Sequence, residues 1–171
     1  HVGCIIVAPW TQYRCMLDAV YLPIGLGSGI CGIMAARNLL GLKTQVIGVV
    51  SECANTYRLS VEAGKPVSTI AAHSFVEGIA VRTPHPEALE AIRQGAERVI
   101  ELSDDLIAEA IWLLFRATHN VAEDAGAAAL AGLMSERDKV ANKRIGVILR
   151  GGNIDADKFA NVLGGQTPMP G

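Results

Sequence analysis

The chain has 171 residues, half of them hydrophobic, 19% charged and only 5% aromatic, with a formal net charge of −2 at pH 7. That length supports one good core and is too short for two ordinary domains. A near-neutral charge with no basic stripe excludes nucleic acid as a partner, and no apolar run reaches the roughly 20 residues of a membrane span.

Short apolar runs alternate with amphipathic ones from residue 18 onward. Residues 18–24 read as a strand, and residues 30–40 as a helix stopped by Gly41. The run K-T-Q-V-I-G-V-V, residues 43–50, reads as a buried strand, and residues 54–63 as a helix stopped by Gly64. Residues 65–83 are less regular. Pro86 sits well in the first turn of the next helix, which a short strand at 97–102 follows. Ser103-Asp104-Asp105 caps a long helix, with its carboxylates favoured by the helix dipole. An alanine-rich helix is expected over residues 125–140, a strand over 145–149 and a last short helix over 155–163. The tail G-G-Q-T-P-M-P-G looks frayed. This order argues for an α/β fold, a mainly parallel sheet with helices on both faces. Ligands of such sheets bind at the carboxyl ends of the strands. Two glycine clusters, Gly25 to Gly32 and Gly151-Gly152, fall at such ends and could line one crevice.

The cysteines Cys4, Cys15, Cys31 and Cys53 form no C-x-x-C pair and read as reduced, mostly buried thiols of a cytoplasmic protein. His1, His73, His85 and His119 are scattered and lack the spacing of a zinc site. The opening H-V-G-C-I-I-V-A-P-W has neither the basic start nor the cleavage context of a signal peptide. It begins on His1 rather than methionine, which reads as a processed chain or a piece of a longer one.

Strand, glycine turn, helix is an arrangement that aims bare backbone N–H groups at a phosphate. In V-Y-L-P-I-G-L-G-S-G-I-C-G the glycines let the backbone bend and approach an anion closely. Two ligands compete for it. Gly27-Ser28-Gly29-Ile30-Cys31-Gly32 satisfies G-x-G-x-x-G, and Glu52 ends the next strand where the ribose-binding acid of an NAD(P) oxidoreductase domain belongs. Against this, Pro23 would cost a ladder hydrogen bond in a central strand, and Gly25 lengthens the turn.

The second reading uses more of the chain. P-I-G-L-G-S-G, G-V-V-S-E, H-N-V-A-E-D-A-G-A-A-A-L-A and G-V-I-L-R-G-G-N-I-D occur in that order. Together they resemble the C-terminal half of the pyridoxal-phosphate-dependent threonine and serine dehydratases, the fold type II (tryptophan synthase β-like) group that includes serine racemase. The resemblance covers about residues 19–165, leaving 1–18 unmatched and 166–171 as a tail.

The resemblance implies that Gly25, Leu26, Gly27, Ser28 and Gly29 wrap the phosphate of pyridoxal 5'-phosphate and that Glu123 sits near its ring. The residue alone leaves a second reading for Glu123, an early helix acid favoured by the dipole. Some relatives hold a divalent cation through an acid at the position of Glu77, usually an aspartate; the plain alternative is a surface carboxylate. Arg150 stands where the family commonly has serine or another small neutral group facing the pyridine nitrogen. An arginine only donates hydrogen bonds, so it would keep that nitrogen unprotonated, or it turns to solvent.

The family's cofactor-bound lysine, in a context like S-F-K-x-R-G, is not matched by Lys43, Lys65, Lys139, Lys143 or Lys158. The implied activity is dehydration and deamination of L-threonine to 2-oxobutanoate and ammonia, with L-serine as second substrate. The chain is expected to be inactive alone and, as part of a short catabolic-type enzyme, to work as a homo-oligomer on a small amino acid. A non-catalytic binding protein derived from a dehydratase is the third reading, which Arg150 and the unmatched lysine both fit.

Overall fold

The computed structural model describes residues 17–69 and 74–169. Most of the opening stretch, with Cys4 and Cys15, and also His73, lie outside the described residues. Four parallel strands, β1 (Ala19–Pro23), β2 (Gln45–Ser51), β3 (Arg98–Leu102) and β4 (Ile145–Val147), form one sheet in the order β3-β2-β1-β4. Around it among the described residues run α1 (Ser28–Leu39), α2 (Thr56–Ala63), α3 (Pro86–Gly95), α4 (Asp104–Thr118), α5 (Asp124–Ser135) and α6 (Ala156–Leu163). The expected α/β architecture is therefore present.

Alternation along the inner strands feeds two cores. Val20, Leu22, Val46 and Val50 pack with Ile30, Ile33 and Met34 of α1 and with Leu89 and Ile92 of α3. Ala19, Tyr21, Ile47 and Val49 pack on the other face with Ile107 and Ile111 of α4 and the alanines of α5. A strand covered on both sides has no polar face, which explains the unbroken apolar run of β2. Each fully buried isoleucine or valine here contributes roughly 1.5–3 kcal/mol. Helix α5 lies close to the sheet because its inner surface is alanine and glycine: a Cβ on Gly132 would stand 2.9 Å from Val49 Cγ2 and 3.1 Å from Tyr21 Cδ1.

Pro23 sits in a central strand after all, yet it costs no ladder bond. The Ile24 N–H donates to Val49 O at 2.9 Å on the β2 side, while Tyr21 O accepts from Ile148 N–H at 3.2 Å on the β4 side. Pro23, two residues beyond Tyr21, therefore faces the β4 side, where β4 has already ended at Val147 opposite Tyr21. The missing N–H falls where no acceptor strand runs.

The alanine-rich helix is shorter than expected. It stops at Ser135, and a 3-10 turn, Arg137–Val140, follows. Between them Glu136 turns inward, with 6% of its side chain exposed. It accepts from Tyr21 Oη at 2.7 Å, from Arg98 Nη2 at 2.6 Å and from Lys139 Nζ at 3.0 Å. Burial by itself would raise the Glu136 pKa, but the hydrogen bonds from Arg98, Tyr21 and Lys139 outweigh it and bring the carboxyl down to about 2. Burial and the bond to Glu136 push the Tyr21 hydroxyl up to about 12, so it remains a donor.

Candidate functional site

The carboxyl ends of β1 and β4 present the turns on which the site is built. After β1 the chain leaves through Gly25, Leu26 and Gly27 and enters α1 at Ser28. Gly27 has φ +96°, a left-handed conformation that glycine adopts without penalty. The loop is tightly backed. A Cβ on Gly25 would stand 2.9 Å from Gly78 O, and one on Gly27 would stand 2.6 Å from Ala88 Cβ at the start of α3. Among the described residues, the N–H groups of Gly25, Leu26, Gly27, Ser28 and Gly29 make no hydrogen bond, and Cys31 N–H to Gly27 O at 3.0 Å is the first bond of α1. A row of unpaired N–H groups at a helix start, closed behind by backbone and Cβ atoms, fits a phosphate dianion. Leu26 turns its side chain outward and is largely exposed.

The last motif reaches the same place. Glu123 is the N-cap residue of α5, but its carboxylate caps no N–H of its own helix. Oε2 accepts instead from Asn153 N–H at 3.3 Å, and the Glu123 N–H donates to Gly151 O at 3.2 Å. Gly151, at φ +76°, leaves the room this needs: a Cβ there would fall 2.3 Å from the Glu123 carboxylate. Gly126 lets α5 meet the backbone of Arg150, since a Cβ on it would lie 2.0 Å from Arg150 O. Arg150 itself is exposed, and its Nη1 stands 3.8 Å from the position a Gly29 Cβ would take. Gly78 thus joins the Gly25–Gly29 turn to the pocket that Glu123 lines, and Arg150 reaches from beside Glu123 to Gly29.

Glu77 is placed at the edge of that pocket, at the start of a 3-10 turn, Glu77–Ile79. Its Oε1 is 2.6 Å from Lys158 Nζ, and Asp155 Oδ2 is 3.9 Å from the same ammonium. Lys158 takes the carboxylate that a cation would need, and among the described residues no group of three or more His, Cys, Asp or Glu side chains could hold a metal ion. Glu77, Gly78, Glu123, Asp124, Asn153 and Lys158 line a pocket of about 200 Å³. Within it burial raises the Asp124 pKa, against the lowering effect of the Ala125 N–H at 2.5 Å. Glu52 ends up exposed in a 3-10 turn after β2.

Three contributors escape a reading of the sequence. Gly78 backs Gly25 from 53 positions away. Tyr57 holds the Leu26 carbonyl at 3.0 Å. Asp104 is more than a helix acid: it accepts from Ser51 Oγ at 2.8 Å, Ser74 Oγ at 2.9 Å and Phe75 N–H at 3.2 Å, tying the end of β2 to the 74–79 loop. Only Asp104 carries a local signal, its place after Ser103.

No described helix is long and apolar enough to cross a membrane. The sequence matches the family described as pyridoxal-phosphate dependent enzyme over residues 3–151, a match that begins inside the opening stretch. A phenylserine dehydratase of Ralstonia pickettii is 37% identical over 158 residues, 91% of this chain and 48% of that protein. An L-threonine ammonia-lyase of Thermotoga maritima is 27% identical over 86% of this chain and 36% of that protein. The processed form of threonine deaminase isoform 2 from Solanum lycopersicum superposes with a TM-score of 0.89 at 26% identity, over 96% of this chain and 48% of that one. The chain therefore spans about half the length of these relatives or less. The order β3-β2-β1-β4 is shared with dinucleotide-binding sheets, so topology alone does not choose between the two ligands; the family match favours the phosphate of the pyridoxal cofactor over NAD(P). The chain belongs to the pyridoxal-phosphate dependent enzymes.

Proposed function

We propose that the protein carrying this chain is a pyridoxal-phosphate dependent ammonia-lyase acting on β-hydroxy-α-amino acids. Water and ammonia are removed in turn and replaced by one water, leaving a 2-oxo acid; threonine is the parent substrate and serine the second. The observation that carries this reading is the convergence of the unpaired N–H row at Gly25–Gly29 with Glu123 and Arg150, in a chain whose relatives include dehydratases and ammonia-lyases. The substrates named by those relatives share a hydroxyl on the carbon next to Cα.

The cofactor, when bound, supplies an electron sink for the pair left at Cα as its proton departs. This chain's part is to hold and tune it. The N–H groups of Gly25 to Gly29 bind the phosphate without side chains in the way. Glu123, fixed by Asn153 N–H, would stand beside the ring. Arg150 would face the ring nitrogen and, as a permanent donor, would keep that nitrogen unprotonated, which would weaken the sink. Glu77 serves as the partner of Lys158 rather than as a metal ligand.

The base that takes the Cα proton is not assigned to this chain. Lys43, Lys65, Lys139 and Lys143 are exposed, and Lys158 is paired with Glu77. The unpaired thiols of Cys31 and Cys53 support a reducing, cytoplasmic setting. Exposed Leu39 and Leu40 support burial against a second copy of the protein.

The test is release of ammonia and 2-oxo acid from threonine, serine and phenylserine, by the intact protein and by the 171-residue chain. The intact protein is expected to turn over at least threonine, and the chain alone none. An intact protein inactive on every β-hydroxy amino acid, or cofactor-dependent turnover by the chain alone, refutes the reading.

A further inference from the structure

Tyr57 is buried at 1% exposure, and nothing in the family motifs refers to it. Its hydroxyl makes two hydrogen bonds. It accepts from His85 N–H at 3.1 Å and lies 3.0 Å from Leu26 O. An amide N–H can only donate, so the single phenolic proton is committed to the Leu26 carbonyl. Burial raises the Tyr57 pKa, which keeps that proton in place.

The consequence lies in the next atom pair. In a trans peptide the carbonyl of one residue and the N–H of the following one point in opposite directions across the same plane. There are no cis peptides among the described residues. Drawing the Leu26 carbonyl inward, toward α2 and α3, therefore turns the Gly27 N–H outward, away from them. Gly27 at φ +96° accommodates the turn, with Ala88 Cβ and Tyr57 Oη closing its inner side. The Leu26 carbonyl is also withheld from α1: Ile30 N–H makes no bond to it, and the helix ladder starts one residue later. Both residues that hold the hydroxyl in register come from elsewhere in the sequence, since Tyr57 lies on α2 and His85 caps α3.

We propose that Tyr57 is the positioning residue of the glycine loop: by binding the Leu26 carbonyl it fixes the Leu26–Gly27 peptide so that the Gly27 N–H is presented to the cofactor phosphate. This rests on the reading that the loop cradles that phosphate. Removing one oxygen, in Tyr57→Phe, leaves the packed ring and frees the peptide to rotate.

The experiment compares pyridoxal 5'-phosphate with pyridoxal, which lacks the phosphate, binding to the intact apoprotein. In the wild type the phosphate form is bound much more tightly. Tyr57→Phe weakens it by about tenfold, the size of one charge-assisted hydrogen bond, and leaves pyridoxal within about twofold. Equal weakening of both, or no change in either, overturns the proposal, because a merely structural role moves both alike. A wild type with no preference for the phosphate form overturns the phosphate reading itself and this proposal with it. A second measurement needs no variant. In protein labelled with 15N-glycine, the Gly27 amide resonance shifts when pyridoxal 5'-phosphate is added and stays in place when pyridoxal is added; a Gly27 amide indifferent to the phosphate overturns the proposal.

Discussion

Replacing Glu136 by glutamine tests the buried polar network under the sheet. The Glu136 carboxyl, ordinarily near 4.5, is held at about 2 in the folded protein. A carboxyl depressed on folding contributes stability that is complete above its unfolded value and is lost as the pH falls through the folded one. A difference of roughly 2.5 pK units corresponds to about 3 kcal/mol at pH 6 to 7. By the same linkage, roughly 1 kcal/mol of this remains at pH 3. The comparison of wild type with Glu136→Gln by urea unfolding, at pH 6 and at pH 3, isolates this group from the other carboxylates. The wild-type advantage should shrink by about 2 kcal/mol across that interval. A constant gap between the two proteins, or one that closes with a midpoint near the ordinary 4.5, would show that Arg98, Tyr21 and Lys139 do not hold the charge in this way.

Gly126→Ala drives a Cβ into Arg150 O; overpacking of this kind costs about 1–3 kcal/mol, and the displaced 150–152 turn should weaken cofactor binding at least several-fold in an absorbance titration. Wild-type affinity in this variant would mean that the contact between α5 and the turn is not needed. Arg150→Ser replaces a permanent donor by a small neutral group and should raise kcat for threonine several-fold; an unchanged or lower kcat would speak against Arg150 acting on the ring nitrogen. Asp104→Ala strands the hydroxyls of Ser51 and Ser74 and the Phe75 N–H. It should cost about 1–3 kcal/mol and speed proteolysis within residues 74–79, and equal stability and cleavage would refute that anchoring role.

What could be read from the sequence was what is encoded locally. The helix over Pro86–Gly95 and the cap at Ser103, whose hydroxyl accepts from Leu106 N–H at 3.4 Å, follow from signals a few residues long. Gly64 ends α2 in the left-handed conformation, as its position suggests. The errors arise where distant groups intervene. The helix expected over 125–140 breaks because Glu136 is drawn to Arg98, 38 positions away, and to Tyr21, 115 away. The helix expected from residue 54 starts at Thr56, since the Ser51 hydroxyl takes Cys53 N–H and winds Glu52–Ala54 into a 3-10 turn. At the site, motif order pointed to the turns on which the Gly25–Gly29 loop, Glu123 and Arg150 stand, and these turns lie side by side. Gly78 and Tyr57 left no mark, because a backbone carbonyl against Gly25 and a phenol on a carbonyl require only proximity, which the fold supplies.

The pairing of β4 with β1 has a consequence for the order in which the molecule comes together. Asp18 and Arg144, at the start of that pairing, are 126 residues apart, whereas β1 meets β2 across about 26. Closing the longer loop costs about 1.4 kcal/mol more entropy, so β4 docks late, onto a sheet already built. It carries Arg150, Gly151 and Asn153 with it. A growing polypeptide can thus bury most of the core on the α1 side and display the glycine loop while Glu123 still lacks the turn that anchors it; the other core, which takes in Ile145, Val147 and Val162, is finished only when this far strand arrives.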